Sequence, residues 1–312
     1  MIKQIAWDAF KNTGDINTFL EYKQIENLEK GIKEIEDIQK ITEINVKWPN
    51  VGVILSPLGQ KGENMANVKV NGIVIAENNL GDYDKMLTIL TPNYGKIACV
   101  AKGARRPNSA LLAGTQLFCF GEYLMYKGTS TYHINSCETI EIFYNLRTDL
   151  DKLKYAIHVT KIIQDVTEEN QNCYRILQLL LNTLYILSET DRDMDFILSV
   201  FKLRLLCILG FTPKVLKCAN CSEKENLTKF SIKDNGFKCE ACGKQDKSAI
   251  DMSESTKNAI KYTISAPPKK LFSFNLKDEG LREYELISKV YFNEKLEKEY
   301  KFEWWNFRLS EL

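Results

Sequence analysis

The sequence predicts a multidomain α+β chain, and three observations carry that reading. Between residues 68 and 142 apolar and polar residues alternate with period two, on either side of that stretch apolar residues recur with helical period, and Cys218, Cys221, Cys239 and Cys242 form two Cys-x-x-Cys pairs. A chain of 312 residues can hold two or three domains and bury ample core, so a metal would be needed locally and not for the whole fold. Lys and Arg number 42 against 41 Asp and Glu, a formal charge of +1. A polyanion-binding surface must therefore come from uneven placement of charge rather than bulk basicity.

In chain order, residues 16–44 place Phe19, Leu20, Ile25, Leu28, Ile32, Ile35 and Ile38 at amphipathic-helix spacing, with Asp15 as a cap. Residues 48–64 carry Pro49, Gly52, Pro57, Gly59 and Gly62, a helix-breaking composition. Residues 1–64 thus read as a helical extension and linker, with a boundary near Met65. Five strands follow at 68–76, 85–91, 96–102, 117–126 and 132–142. Turn chemistry separates two pairs, Pro92-Asn93-Tyr94-Gly95 and Lys127-Gly128-Thr129, and the longer 103–116 connection separates the third and fourth strands. Five short strands with one long excursion fit a five-stranded OB-type β-barrel over residues 65–145.

Helical spacing returns in 153–166, 174–187 and 195–209, the last ended by Gly210 and Pro213, and then in 253–265 and 280–300 around Pro267-Pro268. Residues 146–312 therefore read as an α-helical domain, interrupted by a zinc ribbon or knuckle at 214–247. Ser253 or Ser255 can cap the helix at 253. Trp304-Trp305-Asn306-Phe307 reads as an apolar cluster that docks on the core or, less plainly, on a partner.

The spacing Cys218-x2-Cys221, seventeen residues, Cys239-x2-Cys242 closes one tetrahedral thiolate site for Zn²⁺, with 227–232 and 237–238 as a hairpin folding one pair onto the other. Four thiolates leave no open position, so one zinc serves as a structural staple. Cys99, Cys119, Cys137, Cys173 and Cys207 lack paired spacing and suit buried free thiols in a reducing compartment. The start lacks a long apolar signal segment, and the most apolar run, 176–187, is too short to span a membrane and contains Gln178 and Asn182. The expected location is cytoplasmic.

Between Asp84 and Glu122 there is no acidic residue, while Lys85, Lys96, Lys102, Arg105 and Arg106 all lie in that window. On a barrel these cations fall on the second and third strands and the following loop, the face on which OB barrels hold oligonucleotides, with Tyr94 beside them to stack on bases. The plainer alternative is a solvated basic loop with Tyr94 as a turn residue. Enzymatic signals are thin. His133 and His158 lack a neighbouring nucleophile or ligand spacing, and there is no phosphate-binding Gly-rich loop. A non-enzymatic, nucleic-acid-binding protein is the expected class.

Val70-Asn71-Gly72-Ile73-Val74, Asp82-Tyr83-Asp84-Lys85, Asn93-Tyr94-Gly95-Lys96 and Ala101-Lys102-Gly103-Ala104-Arg105-Arg106 occur in an order that resembles the bacterial RecO family of recombination mediators. The run from Leu203 through Gly210-Phe211-Thr212-Pro213 into Cys218-x2-Cys221, closed by Gly236-Phe237-Lys238-Cys239-x2-Cys242, is similar to that family's helix and zinc module. The resemblance implies an OB domain followed by a zinc-bearing helical domain that binds single- and double-stranded DNA. It also implies annealing of complementary strands and, with RecR and the C-terminal tail of the single-stranded DNA-binding protein SSB, help in loading RecA at the nucleoid. Family members usually begin near the first barrel strand, so residues 1–64 are additional, and their opening Ala6-Trp7-Asp8-Ala9-Phe10 resembles the small YqzL-type proteins, as a fusion or a misassigned start would. No family position for the SSB tail maps onto particular residues. The rival expectations are a zinc-stabilised RNA-binding or transcription- or ribosome-associated protein, and a protein-interaction scaffold with an incidental basic loop.

Overall fold

A computed structural model describes residues 67–128 and 131–300. The helix and linker read over 1–64 and the Trp304–Phe307 cluster lie outside the described residues.

Period-two alternation in strand β1 (Asn67–Leu80) sends Val68, Val70 and Val74 to one face and Ile73 and Ile75 to the other. The first set fills the interior of a closed five-stranded barrel with Leu87 and Ile89 of β2 (Asp84–Thr91), Ile97 and Cys99 of β3 (Gly95–Ala101), Tyr123 and Met125 of β4 (Phe120–Lys127) and Ile134 of β5 (Tyr132–Glu141). Strand order is β1-β2-β3-β5-β4, closed by β1 against β4. The pairs are antiparallel except β3 with β5, where Cys99 pairs Tyr132 and Val100 pairs His133 in parallel. That one parallel contact is what the long β3–β4 connection makes possible, since a parallel neighbour cannot be reached by a hairpin. Tyr123 anchors the connection from inside, its hydroxyl donating to Gly114 O at 2.8 Å and Cys119 O at 3.2 Å.

The outward set binds the barrel to the helices. Ile73, Ile75, Leu90, Phe118 and Phe120 share one core with Val159, Ile162 and Ile163. Helix α1 (Asn145–Thr148) leads into α2 (Leu150–Val166), which Asp149 caps by accepting the N–H groups of Asp151 and Lys152. Helix α3 (Tyr174–Glu189) follows, then α4 (Met194–Ile208), capped in the same way by Asp193. Every residue from Phe196 to Leu203 is buried, so α4 is the axis around which the other helices pack. The short α5 (Glu240–Lys244) belongs to the cysteine hairpin. Ser253 caps α6 (Glu254–Ser265), and Glu283 of α7 (Asp278–Leu296) accepts from Ser253 N, Ser253 Oγ and Thr256 Oγ1 at 2.6–2.8 Å, tying the two helices at that end. Glu297, left-handed at φ +50°, ends α7 four residues before the sequence period predicts. Among the described residues no helix is long and apolar enough to cross a membrane.

Candidate nucleic-acid interface and metal centre

Strands β6 (Leu227–Ser231) and β7 (Gly236–Cys239) form the hairpin expected between the cysteine pairs, with β8 (Ala249–Asp251) on the other edge of β6. Asn235 takes the turn's left-handed position, φ +56°, a conformation its short polar side chain tolerates. The segment from Lys214 runs along β7, with Lys214 N donating to Asn235 O, Phe237 N to Lys214 O and Ala219 N to Phe237 O, all at 2.8–2.9 Å. A Cβ on Gly236 would come 2.4 Å from Lys214 O, so only glycine admits that approach. These contacts carry Cys218 and Cys221 over Cys239, which precedes α5, and Cys242, which lies on it.

The four sulfurs all lie within 4.8 Å of one another, Cys221 and Cys239 at 3.6 Å. A tetrahedron with metal–sulfur bonds of about 2.3 Å has edges of about 3.8 Å, so the cluster has the size of a four-thiolate zinc site. Its electrostatics point the same way. Burial opposes ionisation of Cys218, but the backbone N–H groups of Cys221, Cys239 and Asn220 outweigh it and hold that thiol below its ordinary value. The Glu223 N–H favours the Cys221 thiolate, yet the neighbouring sulfurs push Cys221 up. Four thiolates at this separation need a cation to coexist.

Around the cluster, buried Lys238 bridges Asp234 at 2.5 Å and Asp246 at 2.8 Å. Asp246 also accepts from the hydroxyls of Ser231 and Ser248, both at 2.6 Å, and these bonds with Lys238 hold its carboxyl well below the usual carboxylate range. Phe230 packs edge-on against Phe237 and Tyr291, ring centroids 6.1 and 5.3 Å away, which seats the hairpin on α7.

The structure sorts the six nucleic-acid candidates into two groups. Lys85 pairs with Glu77 at 2.6 Å and donates to Thr115 O at 3.3 Å. Lys96 donates to Gln164 O at 2.6 Å, a carbonyl in the last turn of α2 that has no partner within the helix. Tyr94 is half-buried against the barrel core, and its carbonyl accepts from Asn170 N at 2.8 Å. All three are engaged within the protein. Lys102, Arg105 and Arg106 are exposed, and among the described residues none of them pairs with a carboxylate.

The register explains where these three sit. Lys85 pairs with Ala101, so the residues just before β2 lie beside those just after β3. Gly103, left-handed at φ +66°, donates its N–H to Asp84 Oδ1 at 2.7 Å, and Arg105 N donates to Tyr83 O at 2.9 Å. The Arg105 guanidinium donates to Gly81 O at 3.1 Å, and that of Arg106 lies 5.2 Å from the centroid of the Tyr83 ring. Tyr83, 52% exposed, is thus the aromatic residue beside the solvent-facing cations. Tyr94 is the aromatic residue that the basic window itself contains, whereas Tyr83 lies just outside it and is brought beside the loop by the pairing of Lys85 with Ala101.

A cleft of about 400 Å³ between α3, α4 and the 3₁₀ turn Pro268–Lys270 is lined by Arg175, Gln178, Leu179, Arg204, Ile208 and Leu271, and the Arg204 guanidinium donates to Thr263 O and Ile264 O at 3.0 and 2.6 Å.

Comparison with known proteins bears on the whole described chain. The family described as Recombination protein O N terminal matches residues 65–143, and that described as Recombination protein O C terminal matches 147–302. A DNA repair protein RecO of Acetivibrio thermocellus is 45% identical over 237 residues, which are 76% of this chain and 94% of the relative. Those of Alkaliphilus metalliredigens and Bacillus subtilis are 37% and 30% identical over 199 and 226 residues, or 64% and 72% of this chain and 81% and 88% of theirs.

Proposed function

The chain belongs to the RecO family of recombination proteins, and from that premise we propose that it binds single- and double-stranded DNA and anneals complementary strands without nucleotide hydrolysis. With RecR and SSB it helps to load RecA during repair in the cytoplasm. The observation that supports this beyond family membership is the exposed group Lys102, Arg105 and Arg106 on the loop after β3, in a chain whose net charge is only +1. A sequence-blind positive surface holds two strands close and screens their repulsion, while base pairing selects the match.

The four cysteines hold one Zn²⁺, which joins the segment around Cys218 to the β6–β7 hairpin and supplies no chemistry. The SSB tail ends in a carboxylate, and the cleft that Arg175 and Arg204 line beside Leu179, Ile208 and Leu271 suits such a chain end. We place it there.

Anisotropy titration of a labelled single-stranded oligonucleotide across salt concentrations tests the DNA reading. If three cations meet phosphates, the log–log slope is roughly −0.7 per contact, about −2 in total. The same protein accelerates annealing of complementary strands with no nucleotide added. Salt-independent binding, or preference for an RNA oligonucleotide of the same sequence, overturns the reading.

A further inference from the structure

Among the described residues, Tyr83 is the exposed large apolar side chain that lies under a guanidinium, that of Arg106, on a loop whose backbone is tied to its own. The bonds from Arg105 N to Tyr83 O, Arg105 to Gly81 O and Gly103 N to Asp84 Oδ1 lock the β1–β2 turn and residues 102–106 into one unit. The tyrosine is therefore positioned before any ligand arrives, although half of it faces solvent. An exposed aromatic ring held in place beside cations is the arrangement that binds an unpaired base. The ring takes the base's π-face, and the cations take the phosphates on either side.

Resting on the DNA-binding reading above, we infer that Tyr83 is a base-stacking residue that makes this chain bind single-stranded DNA in preference to double-stranded DNA, with Arg106 backing the ring and Lys102 and Arg105 contacting phosphate. The preference follows from access, because a base inside a duplex has both faces covered by its neighbours and cannot reach the ring. Asp82 and Asp84 flank Tyr83. Asp84 is held by the Gly103 N–H, and Asp82 is exposed, so the site opposes a strand's phosphates near the ring itself and favours contact there through the base.

The test uses the full chain and a labelled single-stranded oligonucleotide and its duplex, each titrated at several salt concentrations. Tyr83→Ala is expected to weaken single-strand binding about tenfold, with duplex affinity and the salt slope unchanged, because a stacked base is neutral where it touches the ring. Tyr83→Phe retains wild-type affinity, and Arg105→Ala shallows the slope for both DNAs. If Tyr83→Ala leaves single-strand affinity intact, or weakens both DNAs equally, the stacking role is overturned while the DNA-binding reading stands. If the wild-type chain itself shows no salt-dependent binding, the DNA-binding reading falls and takes this role with it.

Discussion

The β1–β2 and β2–β3 tips of the barrel each present a tyrosine and a cation beside a left-handed glycine: Tyr83 and Arg106 near Gly81 at φ +60°, Tyr94 and Lys96 flanking Gly95 at φ +66°. A Cβ on Gly81 would meet nothing within 4 Å, whereas one on Gly95 would come 1.9 Å from Glu168 O. The β2–β3 tip is clasped by the loop after α2. Lys96 N donates to Glu168 O, Asn170 N to Tyr94 O and Cys173 N to Pro92 O, and the Lys96 ammonium closes the end of the helix. Among the described residues the β1–β2 tip is bonded to the barrel's own 102–106 loop, which leaves Lys102, Arg105 and Arg106 facing water. Identical chemistry thus stabilises the fold at one tip and stays available for a ligand at the other. The difference lies in whether unpaired helix-end carbonyls are within reach.

The largest expected effect separates both tips from the hairpin on α7. Zinc in such modules contributes on the order of 10 kcal/mol to local folding. Chelation, or Cys239→Ser, should remove one zinc per chain and melt the hairpin, while hydrogen exchange in the barrel and the DNA salt slope stay unchanged because, among the described residues, the bonds that hold the β1–β2 tip lie within the barrel. Protein purified under reducing conditions with no zinc, or a chelator with no effect on stability, would refute the metal reading.

The two glycines give the sharpest contrast. Gly95→Ala should cost about 3 kcal/mol or more, since it adds a clash with a backbone oxygen to left-handed strain. Gly81→Ala carries the strain alone and should cost about 1 kcal/mol. Urea melts of both variants decide, and equal losses would break the comparison.

Lys96→Met keeps the aliphatic stem and removes the bond to Gln164 O, so a loss of about 1–2 kcal/mol with an unchanged salt slope is expected. A slope made shallower by that substitution would mean that the docked tip also meets phosphate. The smallest stability effect belongs to Arg105→Ala, within about 0.5 kcal/mol of wild type, together with a slope shallower by roughly 0.7. Lys96 and Arg105, read as one basic set in the sequence, should therefore divide cleanly between stability and binding.

The barrel and the metal site were legible early for different reasons. Strand alternation reports a local geometry, and the inward set Val70, Val74, Leu87, Ile89, Ile97 and Cys99 follows the period-two pattern. The two Cys-x-x-Cys pairs report ligand chemistry that tolerates few alternatives, and the four sulfurs do converge. The Asp149, Asp193 and Ser253 caps are likewise local, each bonding to N–H groups two or three residues on.

The division of the basic window was not legible, because it depends on partners far along the chain. Lys96 meets Gln164, 68 residues away, while Lys85 meets Glu77 across the β1–β2 hairpin and also Thr115, 30 residues away. Alternation cannot foresee either long-range contact. Composition, spacing and periodicity determined the α+β class, the closed barrel, the helical half and the cysteine quartet, since each arises from residues that meet through hairpins, turns and helical faces. Tertiary structure alone decided which cations face solvent, because a lysine at a barrel tip is free or engaged according to whether packing of Ile73, Ile75 and Leu90 against α2 brings a helix end beside it.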